Sequence, residues 1–227
     1  LIESKKTIAS AKENKSTIFN VDDFRQLEKE INEVIELEKI ITPNKVQGEH
    51  MTLNQAIRKG AWPLLAECRG KFILALDNEG EERSNYLKLH PELEGALLFV
   101  SSPPGNPESA FLKINDPTEN HAEIQKRINQ GYLIRTRSDS NLTEGRTNDY
   151  RQMNLAFSSG AQYISTDFPE KMPGFSDYNV QWPDAKVGRL NPLFKFDHHQ
   201  VILEPENLNS QIILRQFSLK TPTELAK

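Results

Sequence analysis

The residues of this 227-residue chain that could do chemistry gather where short apolar runs end. Leu1-Ile2 leads into Glu3 and Lys5, the run 72–76 into Asp77 and Asn78, and the run 95–100 into Ser101 and Ser102. The run 132–136 carries Arg135 and continues to Arg137 and Asp139, and the run 161–166 carries Ser165 and leads to Asp167. Side chains two apart share one face of a strand. Glu3 and Lys5 therefore point one way together, as do Arg135, Arg137 and Asp139. Two arginines and a lysine around one mouth suit an anionic substrate, because a guanidinium grips phosphate oxygens as a two-pronged fork. A carboxylate such as Glu3 beside them suits a hard divalent cation such as calcium, which takes oxygen ligands. The plainer alternative stands next to this one: strand ends meet solvent, and Arg–Asp pairs there often serve only as structural ion pairs.

Those residues need a scaffold of strands and helices to bring them together. From Asp22 to about Glu38 the residues Phe24, Leu27, Ile31, Val34 and Ile35 recur at helical spacing, with Asn20 as N-cap and Thr42-Pro43-Asn44 as the stop. A second helix is expected over 51–58 and a further turn over 64–68. The runs 72–76 and 95–100 read as strands, the second closed by Ser101-Ser102-Pro103-Pro104-Gly105. A polar helix over 118–129, capped by Gly131, precedes a strand over 132–136. A single helix is expected over 144–159 and a strand over 161–166. Beyond Pro169 the chain turns irregular and Pro-rich, with short apolar strands expected at 201–203 and 211–214. Glu79 to Glu82 reads as a solvated acidic loop.

Strands alternating with helices imply a parallel sheet. An open doubly wound sheet would place a glycine-rich phosphate loop after a strand, and none is present. The reading is an α/β chain forming an incomplete TIM-type (β/α) barrel that lacks its first strands, with an irregular C-terminal tail. In such a barrel the reacting groups stand at the C-terminal ends of the strands. The chain opens on Leu1-Ile2, the end of a strand, which reads as the start of a fragment.

Composition narrows the function classes. The formal net charge of −4 argues against non-specific nucleic-acid binding, which needs an excess of Lys and Arg. The single cysteine, Cys68, excludes an intrachain disulfide and a cysteine-based zinc site. No stretch approaches the roughly 20 apolar residues of a membrane span. His50, His90 and His121 read as solvated, and His198-His199 has no Glu or Cys at ligand spacing. Ser158-Ser159-Gly160 lacks the G-x-S-x-G of a nucleophile elbow.

The order of segments carries a more specific signal. The strand beginning Tyr132-Leu-Ile-Arg-Thr-Arg-Ser-Asp139 is followed by Glu144-Gly-Arg-Thr-Asn-Asp149 and Arg151. Ser159-Gly-Ala-Gln-Tyr-Ile-Ser-Thr-Asp-Phe-Pro169 comes next. Upstream stand Ile41-Thr-Pro43, Gly60-Ala-Trp-Pro63, Arg69-Gly-Lys71, Leu76-Asp-Asn78, and Ala110-Phe111 leading to Asn115-Asp-Pro117. This series, over roughly residues 1–192, resembles the calcium-dependent phosphatidylinositol-specific phospholipase C family of bacteria and fungi. The tail 193–227 lies outside the resemblance.

The resemblance implies a (β/α) barrel, a calcium cofactor and cleavage of a phosphatidylinositol-type phosphodiester. A histidine pair does the acid–base work while the inositol 2-hydroxyl attacks phosphorus, and calcium with basic side chains offsets the phosphoryl charge. It makes Glu3 the metal-ligand carboxylate. Lys5 and Arg137 become phosphate- or inositol-facing residues, and Asp77, Arg135, Asp139 and Asp167 become matches to the family's polar pattern. The family's histidines stand on the first strands, so this chain is expected to hold the phosphate-binding half of a site and to be inactive alone. Gly145 stands where the family commonly has Ala, a change expected to put nothing functional in doubt. The implied partners are a phospholipid or other phosphodiester substrate and, peripherally, a membrane surface; the implied location is secreted or periplasmic. A catalytically lapsed barrel that binds phosphoinositides or sugar phosphates is the alternative, and a glycerophosphodiester-cleaving barrel a more remote one.

Overall fold

The computed structural model describes residues 2, 6–7, 16–140, 142–182 and 188–194. Glu3 and Lys5, the histidine pair 198–199 and the apolar segments 201–203 and 211–214 lie outside the described residues. The chain divides into two units, residues 1–180 and 181–227.

The first unit is a mixed helix and sheet structure built on parallel strands. Lys6–Thr7 (β1) and Ser16–Thr17 (β2) make a small antiparallel pair. The parallel strands are Leu74–Leu76 (β3), Leu98–Val100 (β4), Phe111–Lys113 (β5), Leu133–Arg137 (β6) and Tyr163–Ser165 (β7). β3 pairs with β4, and β5, β6 and β7 pair in sequence order. A parallel bridge from Ser101 to Phe111 links the two ladders. Ile2 joins the other side of the series: its N–H donates to the Ala75 carbonyl at 2.6 Å, and Asp77 N–H donates to its carbonyl at 2.7 Å. The expected strand at Leu1-Ile2 thus pairs at Ile2. Among the described residues these ladders do not close into a ring.

The helices run between the strands: Val21–Val34 (α1), Pro43–Gln47 (α2), Leu53–Arg58 (α3), Leu65–Cys68 (α4), Gly80–Leu89 (α5), Pro117–Asn129 (α6), Thr143–Thr147 (α7) and Arg151–Ser159 (α8). Phe24 of α1, Leu53 and Ala56 of α3 and Ile124 of α6 have no exposed surface, nor do Leu76, Leu98, Val100 and Ile134 of the strands. Each of the larger of these side chains, Ala56 excepted, contributes roughly 1.5–3 kcal/mol through burial. β6 shows the alternation plainly: Ile134 and Thr136 are buried, while Leu133, Arg135 and Arg137 keep partial exposure on the opposite face.

Several elements depart from the sequence reading for identifiable reasons. Asn20 does cap α1, accepting from the N–H groups of Asp22 and Asp23 while Asp23 reaches back to Asn20 N–H. The helix nevertheless stops at Val34, because the following backbone is drawn into pairing with Phe72. Ile41 N–H donates to the Phe72 carbonyl at 2.8 Å and Phe72 N–H to the Lys39 carbonyl at 2.7 Å. Thr42-Pro43 is a helix start, with Thr42 capping Lys45 N–H and Pro43 at the first helical position. The helix expected over 144–159 is two helices, broken where Asn148 takes a left-handed φ of 52°. The acidic stretch at 79–82 opens α5, where Glu81 and Glu82 favour the helix N-terminus.

Gly131, expected as the cap after α6, also solves a packing problem. Its φ is +92°, and a Cβ there would fall 2.2 Å from the Ile57 carbonyl oxygen of α3. Its own carbonyl accepts from Trp62 Nε1 at 2.7 Å. In the second unit the Arg189 guanidinium lies 4.6 Å from the centre of the Trp182 ring.

Candidate functional site

The C-terminal ends of β3, β5, β6 and β7 carry the polar cluster. Asp77 follows β3, Lys113 ends β5, Arg135 and Arg137 end β6, and Asp167 lies just past β7. The structure brings Asp77 and Arg135 together, and it adds a residue that the sequence reading did not single out. Lys113 Nζ donates to the Asp77 carbonyl at 2.5 Å and lies 3.5 Å from Asp77 Oδ1 and 3.9 Å from Glu79. Arg135 Nη1 lies 3.7 Å from the same Asp77 oxygen and donates to Asn115 Oδ1 at 2.6 Å. Lys113, Arg135 and Asp77 side chains are only 14%, 13% and 20% exposed. Among the described residues Asp77 Oδ1 has no hydrogen-bond partner, and the two nearby cations compensate its buried charge.

A second pair stands beside them on β6. Arg137 Nη2 donates to Asp167 Oδ2 at 2.6 Å, with Asp167 about half exposed. The Arg137 carbonyl accepts from Gln152 of α8, which ties this strand end to the helix behind it. Asp139 occupies a different place from the arginines. It is fully buried, and its carboxylate accepts from Ser138 Oγ, Thr166 Oγ1 and Asp167 N–H. It fixes the end of β7 against the end of β6 and thereby sets where Asp167 stands.

The serines at the strand ends face the backbone. Ser101 Oγ accepts from Lys113 N–H at 3.0 Å and Ser165 Oγ donates to the Thr136 carbonyl at 3.3 Å. Ser101's carbonyl accepts from Arg83 of α5. Glu144 accepts from Ser140 N–H at 3.0 Å, bracing the turn after β6. Asp149 is chelated by the Arg151 guanidinium, which holds its carboxyl at about 2, below the ordinary value of 3.8.

The inner face of these strands also bounds a cavity of about 240 Å³, walled by Ile73, Phe99, Phe111, Leu133 and Tyr163, with Arg135 as its charged member. Among the described residues no three His, Cys, Asp or Glu side chains converge on a point that could hold a metal ion. Asp77, the carboxylate nearest the cluster's centre, already faces two cations. The described residues do not by themselves form a calcium cage, and Glu3 lies outside them.

The histidines differ from expectation in one case. His90 is not solvated: it is 13% exposed and lies 2.8 Å from Glu28. His121 is half-buried within α6, with Nε2 3.0 Å from Ser158 Oγ. Neither stands at a strand end.

The sequence reading missed Lys113 because β5 is three residues long, between the Pro103–Pro107 turn and Asn115-Asp116-Pro117, too short for alternation to show. The signal that could have found it was the pair of buried residues Phe111 and Leu112 directly before a lysine.

The class defined by these features is an α/β chain of parallel strands whose C-terminal ends carry paired cations and carboxylates. The family model for calcium-dependent phosphoinositide phospholipase C matches residues 1–192, and the chain belongs to that family. Calcium dependence is part of the family's description. A solved calcium-dependent phosphatidylinositol-specific phospholipase C from Streptomyces antibioticus is similar at 16% identity and a TM-score of 0.47, over 65% of this chain. This chain covers 58% of that enzyme's length. No curated protein matches.

Proposed function

We propose that this chain supplies the phosphate-facing half of a calcium-dependent phosphodiesterase site that cleaves phosphatidylinositol-type phosphodiesters. The observation that supports it is the convergence of Lys113, Arg135 and Arg137 at the C-terminal ends of neighbouring parallel strands, in a chain of this family. In this reading residues 1–192 are part of an incomplete (β/α) barrel and 193–227 form a C-terminal tail. Arg137 is the cation best placed to meet substrate, because its partner Asp167 is half exposed and can yield to an incoming phosphate. Arg135 and Lys113 hold Asp77 and add positive potential beneath it. Asp139 positions the β7 end, and Lys5 is a further phosphate-facing candidate.

Glu3 is the candidate calcium ligand within the chain, completed by groups beyond the described residues. Among the described residues neither His90 nor His121 stands at a strand end, so this reading does not draw the acid–base histidines from them, and it holds residues 1–227 to be inactive alone. The location that follows from a lipid substrate is secreted or periplasmic, with peripheral contact to a membrane.

The test is release of inositol phosphate from phosphatidylinositol vesicles by the full-length polypeptide, with calcium and with excess chelator. Calcium-dependent release, lowered roughly 10²-fold by Arg137→Ala, supports the reading. Release that persists in chelator sinks it. Vesicle binding without release, by folded protein, moves the assignment to a phosphoinositide-binding barrel.

A further inference from the structure

Away from the strand ends, the Glu28 carboxylate on α1 meets three residues from two other segments. Tyr86 of α5 donates its hydroxyl to Oε1 at 2.5 Å, and Leu97 N–H, just before β4, donates to the same oxygen at 3.1 Å. His90 Nε2 lies 2.8 Å from Oε2. The Tyr86 hydroxyl in turn accepts from Leu98 N–H at 3.0 Å, so one buried carboxylate and one phenol together fix the entrance of β4. Rings line the same seam: Phe24 meets Tyr86 at 5.2 Å and Tyr86 meets His90 at 5.1 Å, centre to centre.

The proton count on His90 follows from what it faces. Its Nδ1 lies 3.0 Å from the Glu94 carbonyl, and its Nε2 faces the Glu28 carboxylate. A carbonyl and an ionised carboxylate offer only lone pairs, so the pair of contacts is satisfied in full when both ring nitrogens donate, as in an imidazolium. Removing one proton leaves two lone pairs pointed at each other in a largely buried place.

We propose that His90, Glu28 and Tyr86 form a pH-sensitive latch that docks α1 onto α5 and the entrance of β4, closed while His90 is a cation and loosened when it loses its proton. Among the described residues the ionisable groups that meet His90 are Glu28 from α1 and Tyr86 from α5, the helix that His90 caps; Glu94 faces it through its carbonyl. Burial by itself lowers the His90 pKa, but the hydrogen bond and charge of Glu28 raise it above 6.5. Burial likewise raises Glu28, and the bonds from His90, Tyr86 and Leu97 lower it below 4.5. Burial and the Glu28 charge push Tyr86 far above its ordinary value, so it stays a donor throughout. The sign is then fixed. The His90 contribution is complete below 6.5 and is lost as pH rises through its folded-state pKa. The Glu28 contribution is present above 4.5 and is lost as pH falls through its own folded-state value. The latch is tightest between the two.

The experiment is a nitrogen-detected NMR titration of the His90 ring in the whole chain, with amide exchange at Leu97 and Leu98 followed over the same pH range. Both ring nitrogens are expected to be protonated at pH 6, with a midpoint above 6.5. Protection at Leu97 and Leu98, corrected for intrinsic exchange, should fall by up to about tenfold per pH unit from 6.5 to that midpoint and then level off. His90→Gln should abolish that pH dependence. A neutral ring at pH 6, a midpoint at or below 6.5, or flat protection in the unmodified chain overturns the latch. So does an unchanged pH dependence in His90→Gln. Should that variant fail to fold, the titration of the unmodified chain decides alone.

Discussion

Gly145 lies so close under Phe168 that a methyl group on its Cα would fall 2.2 Å from the ring carbon Cζ and 2.6 Å from Cε1. Phe168 is buried and pinned from other sides, edge-on to Tyr178 at 5.3 Å and stacked on Phe175 at 6.1 Å. The ring therefore fills the room that an alanine side chain would need. Gly145→Ala gains up to ~1 kcal/mol of helix propensity, but overpacking costs about 1–3 kcal/mol, and the ring has nowhere to retreat. The expected outcome in urea denaturation is net destabilisation, with Phe168→Leu in the same chain recovering most of it. A Gly145→Ala chain as stable as the original would mean that the ring moves freely.

Lys113 and Asp77 make a second coupled pair, this one electrostatic. Among the described residues Asp77 Oδ1 accepts no hydrogen bond, and Lys113 at 3.5 Å and Arg135 at 3.7 Å are the cations that face it. Lys113→Met removes one of the two cations and leaves the carboxylate poorly compensated. Full burial would make that cost about 3–5 kcal/mol; the residual solvent access and the remaining Arg135 bring the expectation to about 1–3 kcal/mol. In a double-mutant cycle, Asp77→Asn with Lys113→Met should cost less than the sum of the single changes. Strict additivity would show that the two side chains act independently.

How much of this was readable in the sequence depends on range. Asn20 announced α1 because capping is local chemistry, and Tyr132 to Thr136 announced β6 because alternation of Ile134 and Thr136 with Leu133 and Arg135 survives over five residues. The end of α1 was not readable, since it is set by pairing with Phe72, more than thirty residues away. α5 was hidden because its buried residues are Asn85 and Tyr86, an amide and a phenol rather than an apolar stripe. Asp77 and Arg135 were legible as strand-end residues, but their meeting across β4 and β5 was not. The reading of His90 as solvated failed for a similar reason: its partner Glu28 sits on a helix 62 residues earlier.

Asp149 offers a pH test on the surface. The Arg151 side chain donates two hydrogen bonds through Nε and one through Nη2, Arg151 N–H adds another, and together they depress the Asp149 pKa to about 2. A depressed carboxylate contributes stability above its unfolded value of 3.8 and loses it as pH falls through the folded value. Carboxyl-carbon NMR should place its midpoint near 2, and Arg151→Ala should return it toward 3.8. The contribution to stability is expected to be small because the pair is solvated. A midpoint near 3.8 in the unmodified chain would show that the chelate does not persist in solution.

Under the proposed function, Arg137 and Asp139 separate contact with substrate from placement of the strand ends. Both stand on or just past β6, yet Arg137 is partly exposed and faces the half-exposed Asp167, whereas Asp139 is sealed and takes three donors from the ends of β6 and β7. Asp139→Asn replaces an acceptor oxygen by an NH₂ group, so Asp167 N–H or the two hydroxyl donors lose their partner. A cost of about 1–3 kcal/mol is expected. Arg137→Ala removes a partly solvated ion pair, for which a cost within about 1 kcal/mol is expected, while vesicle hydrolysis by the full-length polypeptide should fall sharply. Denaturation and activity measured on both variants should thus rank them in opposite orders relative to each effect. If Arg137→Ala lowers stability as much as Asp139→Asn and leaves hydrolysis intact, Arg137 serves the fold and the anion site lies elsewhere.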